Sequence, residues 1–253
     1  MLVLALDTTT RLGSLAIARD DRLLDAWSGD GALTHAARLP GDILDGLRRQ
    51  GLAPADIDLY GVAAGPGSFT GLRIGIATIQ GLAFAHERPV AGVSALEALA
   101  WAARDRAEGS LIASWMDARR DEVFASLSGG DDLELRVLAG PQVGGPDLVL
   151  AAWDERLADR PVLWLGDGAL VYAPLIRAAA RGRSWTILPE VPALAPAIAA
   201  LALRRAARGE TTRAHGVRPV YIRRPDAELA RDRRRRQAAS AGGAGPDAKG
   251  KAR

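Results

Sequence analysis

The sequence predicts an α/β fold made of two similar halves, and three features carry that expectation. Short apolar runs of strand length alternate along the chain with longer helical patterns. The arrangement of the first 28 residues, an apolar run ending in an aspartate and followed by a hairpin, returns near residue 111. Between the two copies, Gly65-Pro66-Gly67-Ser68-Phe69-Thr70-Gly71-Leu72-Arg73-Ile74-Gly75 joins a strand pattern to a helix pattern through a glycine-rich turn.

Taken in order, Leu2 to Leu6 is too short for a helix and reads as a buried strand that ends at Asp7-Thr8-Thr9-Thr10. Gly13 to Ala18 and Arg22 to Trp27, joined at Asp20-Asp21, form the hairpin. Thr34 is placed to cap a helix that carries Leu39, Ile43, Leu44 and Leu47 on one side, accommodates Pro40 near its start or at a kink, and ends at Gly51. A strand from Asp58 to Ala64 leads into the glycine loop, where Ser68 or Thr70 can cap the helix Leu72 to His86. That helix is apolar on nearly every face, so it is buried on nearly every face. Gly71, Gly75 and Gly81 each weaken it by roughly 1 kcal/mol relative to alanine, a cost expected where another backbone comes close. Two readings stay open here: one face meets a second element, or the helix is covered wholly within its own chain.

Pro89 to Val93 reads as a strand, and Ser94 caps a helix from Ala95 to Arg104. The second copy follows as Leu111 to Met116 ending at Asp117, Glu122 to Leu127, a turn at Gly129-Gly130-Asp131-Asp132, and Leu133 to Leu138, with about the same 13-residue spacing from aspartate to turn. A helix near Asp147 to Leu157, a strand Val162 to Leu165, Gly166-Asp167-Gly168 opening another helix, a strand near Trp185 to Leu188 and a helix Ala193 to Arg208 complete the body. The expected division is 1–104 and 105–225 for the two lobes and 226–253 for a solvated tail of Arg, Ala, Gly, Ser and Lys.

Composition narrows the function classes. The 253 residues are 48% hydrophobic, enough for a sizeable core. No apolar run approaches the roughly 20 residues of a membrane span, and the opening stretch lacks the basic flank of a signal peptide. The chain reads as cytoplasmic. With no cysteine, disulfides, thiol catalysis and cysteine-ligated zinc are excluded. The sequence pI of 9.8 suggests nucleic-acid binding until the charge is located. From Glu228 onward eight basic residues face three acidic ones, a net of +5, and the chain's +3 therefore leaves about −2 for residues 1–227. The run Arg233-Arg234-Arg235-Arg236 reads as a solubilising tail that also attracts RNA at low salt.

Two units of strand, Asp-ended turn and hairpin, with helices between, suggest a duplicated, two-lobed actin-like fold (ASKHA, RNase H-like) of mixed sheets flanked by helices. Asp7 and Asp117 then sit at strand ends, where the active sites of open α/β sheets collect. Each is placed for a metal or a water, or to satisfy the N–H groups of its own turn. The Gly65–Gly71 loop lacks the Lys-Ser/Thr pair of a phosphate loop and reads as a structural turn before a phosphate cradle. Ala118-Arg119-Arg120-Asp121 beside Asp117 is too bulky and charged for nucleotide phosphates. His35, His86 and His215 have no helical ligand spacing, and no Gly-x-Ser-x-Gly elbow is present, so metal and hydrolase chemistry are weakly supported.

The loop Gly65 to Gly75, the opening Leu4-Ala5-Leu6-Asp7-Thr8-Thr9 and the later Asp117-Ala118-Arg119-Arg120-Asp121-Glu122-Val123-Phe124 together resemble the TsaB (YeaZ) family over about residues 1–225. The loop is the most specific of the three. A weaker likeness is His35 with Leu39-Pro40, where the family has a double leucine and this chain has Arg38-Leu39. The resemblance implies an actin-like fold with a degenerate cleft (Asp7, Ser68, Thr70, Arg73 and Asp117) and no catalytic residue, metal or cofactor. It implies a dimerisation subunit of the machinery that makes threonylcarbamoyladenosine in tRNA, pairing with the catalytic homologue TsaD, assisted by the ATPase TsaE, or with a second copy when alone. The partner face it implies lies on the two first-lobe helices: Leu39, Ile43 and Leu47, and Gly71, Leu72, Gly75, Ile76, Ile79 and Leu82. The tail is an extension through which tRNA could be touched. The alternative from another class is an actin-like small-molecule kinase or glycoprotease-like hydrolase with its own cleft.

Overall fold

Leu2–Asp7 (β1) sends alternate side chains to opposite cores, Val3 and Ala5 to one and Leu2, Leu4 and Leu6 to the other, because successive strand residues face opposite sides. It pairs antiparallel with Ser14–Arg19 (β2), which pairs with Arg22–Ser28 (β3). On its other side β1 runs parallel to Leu59–Gly65 (β4), itself parallel to Val90–Ser94 (β5). The sheet order is β3-β2-β1-β4-β5. This computed structural model describes residues 1–130 and 135–223. The tail expected at 226–253, and Asp131-Asp132 of the expected second turn, lie outside the described residues.

The second half repeats the plan. Leu111–Asp117 (β6), Val123–Gly130 (β7) and Leu135–Gly144 (β8) form the antiparallel side, and Val162–Leu165 (β9) and Trp185–Ile187 (β10) the parallel side. The order β8-β7-β6-β9-β10 matches the first sheet strand for strand. The duplication expected from the recurring pattern is thus a duplication of topology, and two such mixed sheets flanked by helices are the actin-like arrangement.

Among the described residues, six helices of eight residues or more supply the outer layers and part of the inner one. His35–Arg49 (α1) and Phe69–Ala85 (α2) cover the outer face of the first sheet. Ala95–Ala103 (α3) follows β5. Pro146–Leu157 (α4), the short Asp167–Val171 (α5) and Ala173–Ala180 (α6) flank the second sheet, and Ala195–Ala207 (α7) follows β10. Thr34, Ser68 and Ser94 cap α1, α2 and α3 through side-chain oxygens that accept from Ala37, Gly71 and Glu97 N–H groups. Pro40 sits inside α1. α2 starts at Phe69, three residues before the expected Leu72, because Ser68 takes the cap position that the sequence leaves shared with Thr70.

The middle layer ties the halves together. α3, from the first half, lies against β6, β7 and β8 as well as β4 and β5. α7, from the second half, lies against β1, β2, β4 and β5. Their alanines and leucines share one core with Val3, Ala16, Ile112, Phe124 and Leu165. The boundary near residue 104 therefore separates the two sheets but not the packing: the segment after Pro189 returns to the first sheet, where Thr212 bridges Val90. The outer core of the second sheet is dominated by Trp115, Trp153 and Trp164, with Trp115 and Trp164 edge to face at 5.0 Å between centroids.

Close approach of Thr8, by its backbone at Gly71 and by its side chain at Gly75, accounts for two of the three helix glycines. A Cβ on Gly71 would run into the Thr8 carbonyl oxygen, and one on Gly75 into the Thr8 hydroxyl, whereas nothing lies within 4 Å of the position at Gly81. Gly71→Ala is expected to destabilise the chain by about 3 kcal/mol through overpacking, and Gly81→Ala to stabilise it by roughly 0.5–1 kcal/mol. Urea unfolding of both variants checks this; equal effects would show that α2 does not press on the β1 turn.

Candidate functional site

The turn after β1 is closed by its own residues. Asp7, 1% exposed, accepts at Oδ1 from the Thr9 N–H at 2.8 Å and the Thr9 hydroxyl at 2.6 Å, and at Oδ2 from the Thr10 hydroxyl at 3.2 Å. Thr10 Oγ1 in turn accepts from the Gly13 N–H at 3.1 Å. Burial pushes the Asp7 carboxyl above the ordinary carboxylate range, opposed by the hydrogen bonds from Thr9 and Thr10. The carboxylate thus meets donors of its own turn, as one of the two sequence readings for Asp7 describes.

The glycine loop sits directly on that turn. Ser68 N–H donates to the Thr9 carbonyl at 3.0 Å, and the Thr8 hydroxyl donates to the Gly71 carbonyl at 2.8 Å. Gly67 leaves no room for a side chain against Thr9, and Gly65, at φ +121°, faces the Val220 carbonyl. Val220 N–H donates to Ala64 at 2.7 Å. The loop's surroundings are thus occupied by Thr8, Thr9 and Val220, so it acts as the pivot that starts α2 and not as an open cradle. Ser68 caps the helix; Thr70 is exposed on its first turn. Arg73 points away from Asp7: its guanidinium lies 4.0 Å from the Phe69 ring centroid, and its Nε donates to the Tyr221 hydroxyl at 3.0 Å.

A second chain of contacts joins the turn to α1. His35 Nε2 lies 3.0 Å from the Thr10 carbonyl and its Nδ1 3.1 Å from Arg38 Nη2. A guanidinium only donates, so Nδ1 accepts and Nε2 carries the hydrogen. Arg38 is itself buried and also bonds the Leu12 carbonyl and Asp42. The residue where the family has a leucine therefore points inward, and no side chain fits at Gly29 beside its guanidinium.

The equivalent position in the second half is wired differently. Asp117 Oδ1 accepts from the Arg119 N–H at 2.8 Å, and Oδ2 pairs with the exposed Arg119 side chain at 3.1 Å. Asp117 N–H donates to Asp167 Oδ1 at 2.9 Å, as does Gly168 N–H. Burial raises the Asp167 carboxyl pKa, the two N–H donors oppose the rise and the Asp117 charge adds to it. Gly166 and Gly168 fit against the backbone of Trp115 and Met116, as the first loop fits against Thr8 and Thr9. Arg119, Arg120 and Asp121 all have φ near +60°, a left-handed run without glycine that costs about 1 kcal/mol or more per residue. No hydrogen bond or ion pair joins Asp7 to Asp117, and the described residues contain no group of three His, Cys, Asp or Glu side chains able to hold a metal.

The expected partner-face residues turn mostly inward. Leu39, Ile43 and Leu47 on α1 and Leu72, Ile76 and Ile79 on α2 are at most 5% exposed, and Gly71 and Gly75 are buried against Thr8. Leu39, Ile43, Leu47, Ile76 and Ile79 fill the outer core of the first sheet, and Leu82 packs half-buried against it. An amphipathic stripe buries on its own sheet before it meets anything else. The small and apolar exposed residues include Ala37, Gly41 and Leu44 on α1, beside the exposed Asp45, Arg48 and Arg49, and Ala77, Gly81 and Phe84 on α2, beside the exposed Thr70 and Arg73, with Phe84 78% exposed. Leu44 carried an apolar signal in the sequence; Ala77 and Phe84 carried none that separates them from their buried neighbours.

This geometry defines a two-lobed actin-like protein whose first strand-end aspartate is spent on its own turn. The model of TsaD, tRNA N6-adenosine threonylcarbamoyltransferase, matches residues 31–147. The tRNA threonylcarbamoyladenosine biosynthesis protein TsaB of Bacillus subtilis is 33% identical over 70% of this chain and 75% of its own. The TsaB protein of Escherichia coli is 30% identical over 88% and 95%. A crystal structure of a Pseudomonas aeruginosa protein with similarity to the peptidase YeaZ superposes with a TM-score of 0.74 at 34% identity, over 88% of this chain and 99% of that one. The chain belongs to the TsaB family.

Because Asp7 holds its proton more tightly when folded than when unfolded, its burial penalises stability as pH rises from the ordinary carboxylate range through the raised folded value. Asp7→Asn keeps an acceptor for Thr9 and removes the charge. Its stability relative to wild type is expected to increase with pH across that window, read by thermal melting. A constant difference at all pH values would show that Asp7 is not desolvated.

Proposed function

We propose that the chain is a non-catalytic scaffold and dimerisation subunit in the biosynthesis of threonylcarbamoyladenosine in tRNA. It pairs with a TsaD-type catalytic subunit in the cytoplasm and works with a TsaE-type ATPase through that complex. Its contribution is to support transfer of threonylcarbamoyl to the adenosine beside the anticodon. The observation that carries this reading is the occupied cleft end: Asp7 is buried and accepts three hydrogen bonds from Thr9 and Thr10, and the glycine loop is packed against Thr8, Thr9 and Val220. A kinase needs that carboxylate and that loop free to meet phosphates and metal. The pathway is the one for which the TsaB relatives of Bacillus subtilis and Escherichia coli are named.

The pairing surface is the exposed stripe of α1 and α2, not their buried leucines and isoleucines. Ala37, Gly41 and Leu44 on one helix and Ala77, Gly81 and Phe84 on the next have small side chains that allow close helix approach, with two large apolar ones to anchor it. The TsaD model matches a stretch that contains both helices, which favours pairing between like surfaces. A second copy of this chain can use the same stripe when the partner is absent.

Ala77→Asp and Leu44→Asp are each expected to weaken association with the TsaD-type subunit by about 30-fold, or about 2 kcal/mol, with melting temperature unchanged. Titration calorimetry of the purified pair measures this. Wild-type affinity in both variants would place the interface elsewhere. ATP or peptide turnover by the chain alone, abolished by Asp7→Ala, would refute the scaffold reading itself.

A further inference from the structure

After α7 the chain returns along α2 as a strap. Thr212 pairs with Val90, Ala214 and Val217 enter the outer core of the first sheet, and the Gln80 side chain donates to the Val217 carbonyl at 3.0 Å. Val220 then bonds Ala64, and Tyr221 stacks on Phe69 at 5.0 Å between ring centroids. This last contact fixes an arginine. The Arg73 guanidinium lies 4.0 Å from the Phe69 centroid, and its Nε donates to the Tyr221 hydroxyl at 3.0 Å. Two aromatic side chains thus hold an exposed cation in one place, while its two terminal nitrogens form no hydrogen bond or ion pair among the described residues.

Arg73 stands in the pairing stripe itself. Phe69, Arg73, Ala77 and Gly81 follow one another at four-residue spacing, with Phe84 three residues further, and all are exposed. The carboxylates around this face are either paired or distant. Asp42 bonds the buried Arg38, Asp45 pairs with Arg48 at 3.0 Å, and Asp25 pairs with Arg49 at 3.0 Å. The exposed Glu87 comes fourteen residues after Arg73, roughly 21 Å along the helix axis and more than twice the Debye length of about 8 Å. Glu210 lies at that same far end of α2, because it precedes Thr212, whose partner Val90 pairs with Tyr60 near the start of β4. Asp58, at the start of β4, accepts from the Leu2 N–H at 2.8 Å.

We propose that Arg73 is the residue by which this surface selects its partner: it pairs with a carboxylate on the facing surface of the TsaD-type subunit and disfavours a second copy of this chain. The inference rests on the pairing proposed above and deepens it by naming the chemistry of the partner's face. In a two-fold pair the same patch meets itself, and the exposed charges on α1 and α2 are Arg48, Arg49 and Arg73 against Asp45. Two such faces repel, and neither offers Arg73 a spare carboxylate. An acidic position on a different subunit meets it directly. Because Phe69 and Tyr221 already order the guanidinium, pairing costs little further side-chain freedom. A single cation set among Phe69, Ala77 and Gly81 suits one carboxylate on a packed protein surface, whereas a polyanion is held by several cations in a row. Tyr221 acts through Arg73 and is a positioning residue.

The test follows binding of the full chain to the purified TsaD-type subunit by titration calorimetry, and to itself by sedimentation equilibrium, each at several salt concentrations. For wild type, partner affinity is expected to fall as salt rises and self-association to strengthen, because salt screens an attraction in the first case and a repulsion in the second. Arg73→Gln is expected to weaken partner binding by about tenfold, to reduce its salt dependence, and to leave self-association no weaker, at an unchanged melting temperature. Arg73→Lys keeps the salt dependence. Tyr221→Phe removes the acceptor but keeps ring and charge, so partner affinity falls by about threefold with the salt dependence kept. Wild-type partner affinity and salt dependence in Arg73→Gln overturn the proposal and leave the pairing reading intact. An equal loss of partner binding and self-association overturns it as well, since Arg73 would then be a packing residue. No association of the wild-type chain with the TsaD-type subunit at any salt refutes the pairing reading, and the selection by Arg73 with it.

Discussion

The contact between Thr8 and the first turns of α2 is the constraint from which the rest of the first lobe follows. Thr8 is fully buried, its hydroxyl donates to the Gly71 carbonyl, and only glycine fits at positions 71 and 75 above it. A helix carrying three interior glycines is intrinsically weak, by roughly 1 kcal/mol for each. Here the weakness is offset by a close approach that lets Ile76 and Ile79 reach the core while the turn below closes on Asp7. The same approach fixes which side of α2 is left facing out, and hence where Ala77, Gly81 and Phe84 stand and where the strap can lie.

That closure has a chemical consequence. An actin-like enzyme keeps a strand-end carboxylate and a glycine loop open to phosphate and metal. In this chain the carboxylate is desolvated and bonded by Thr9 and Thr10, and the loop is packed between Thr8, Thr9 and the returning Val220. The second half keeps the same backbone plan, with Gly166 and Gly168 pressed on β6, yet fills its turn with Arg119 and Arg120 in left-handed conformation. Both halves use the glycines after their strand-end turns for internal packing, which agrees with the scaffold role proposed above.

Much of this was legible in the sequence, and the rest was not for identifiable reasons. The strands, the Thr34, Ser68 and Ser94 caps and the duplicated Asp-turn-hairpin units follow from local periodicity and turn chemistry, so they could be placed without knowing what packs on what. The direction of α1 could not, because Leu39, Ile43 and Leu47 present one apolar stripe whether its cover is the home sheet or a partner. On α2 the glycines were expected to admit a close neighbour, but only the position of Thr8 shows that Gly71 and Gly75 face inward and Gly81 does not. The return of α7 to the first sheet is a contact between residues more than a hundred positions apart, such as Gly61 with Ile198 and Ala202, and no local pattern encodes it. Arg38, which stands where the family has a leucine, is buried among Leu12, His35 and Asp42, partners that its neighbours in sequence do not reveal.

The central claim is that this chain contributes a surface and not a catalytic group. Its most direct test is the rate of threonylcarbamoyl transfer to tRNA in a system reconstituted from the chain, its TsaD-type partner, a TsaE-type ATPase and threonylcarbamoyl adenylate. With Asp7→Asn in place of the wild-type chain, the account predicts a rate within about twofold of wild type at equal complex concentration, a difference of only about 0.4 kcal/mol. A loss of a hundredfold or more, with the complex intact by mass, would mean that Asp7 takes part in the chemistry and would contradict it.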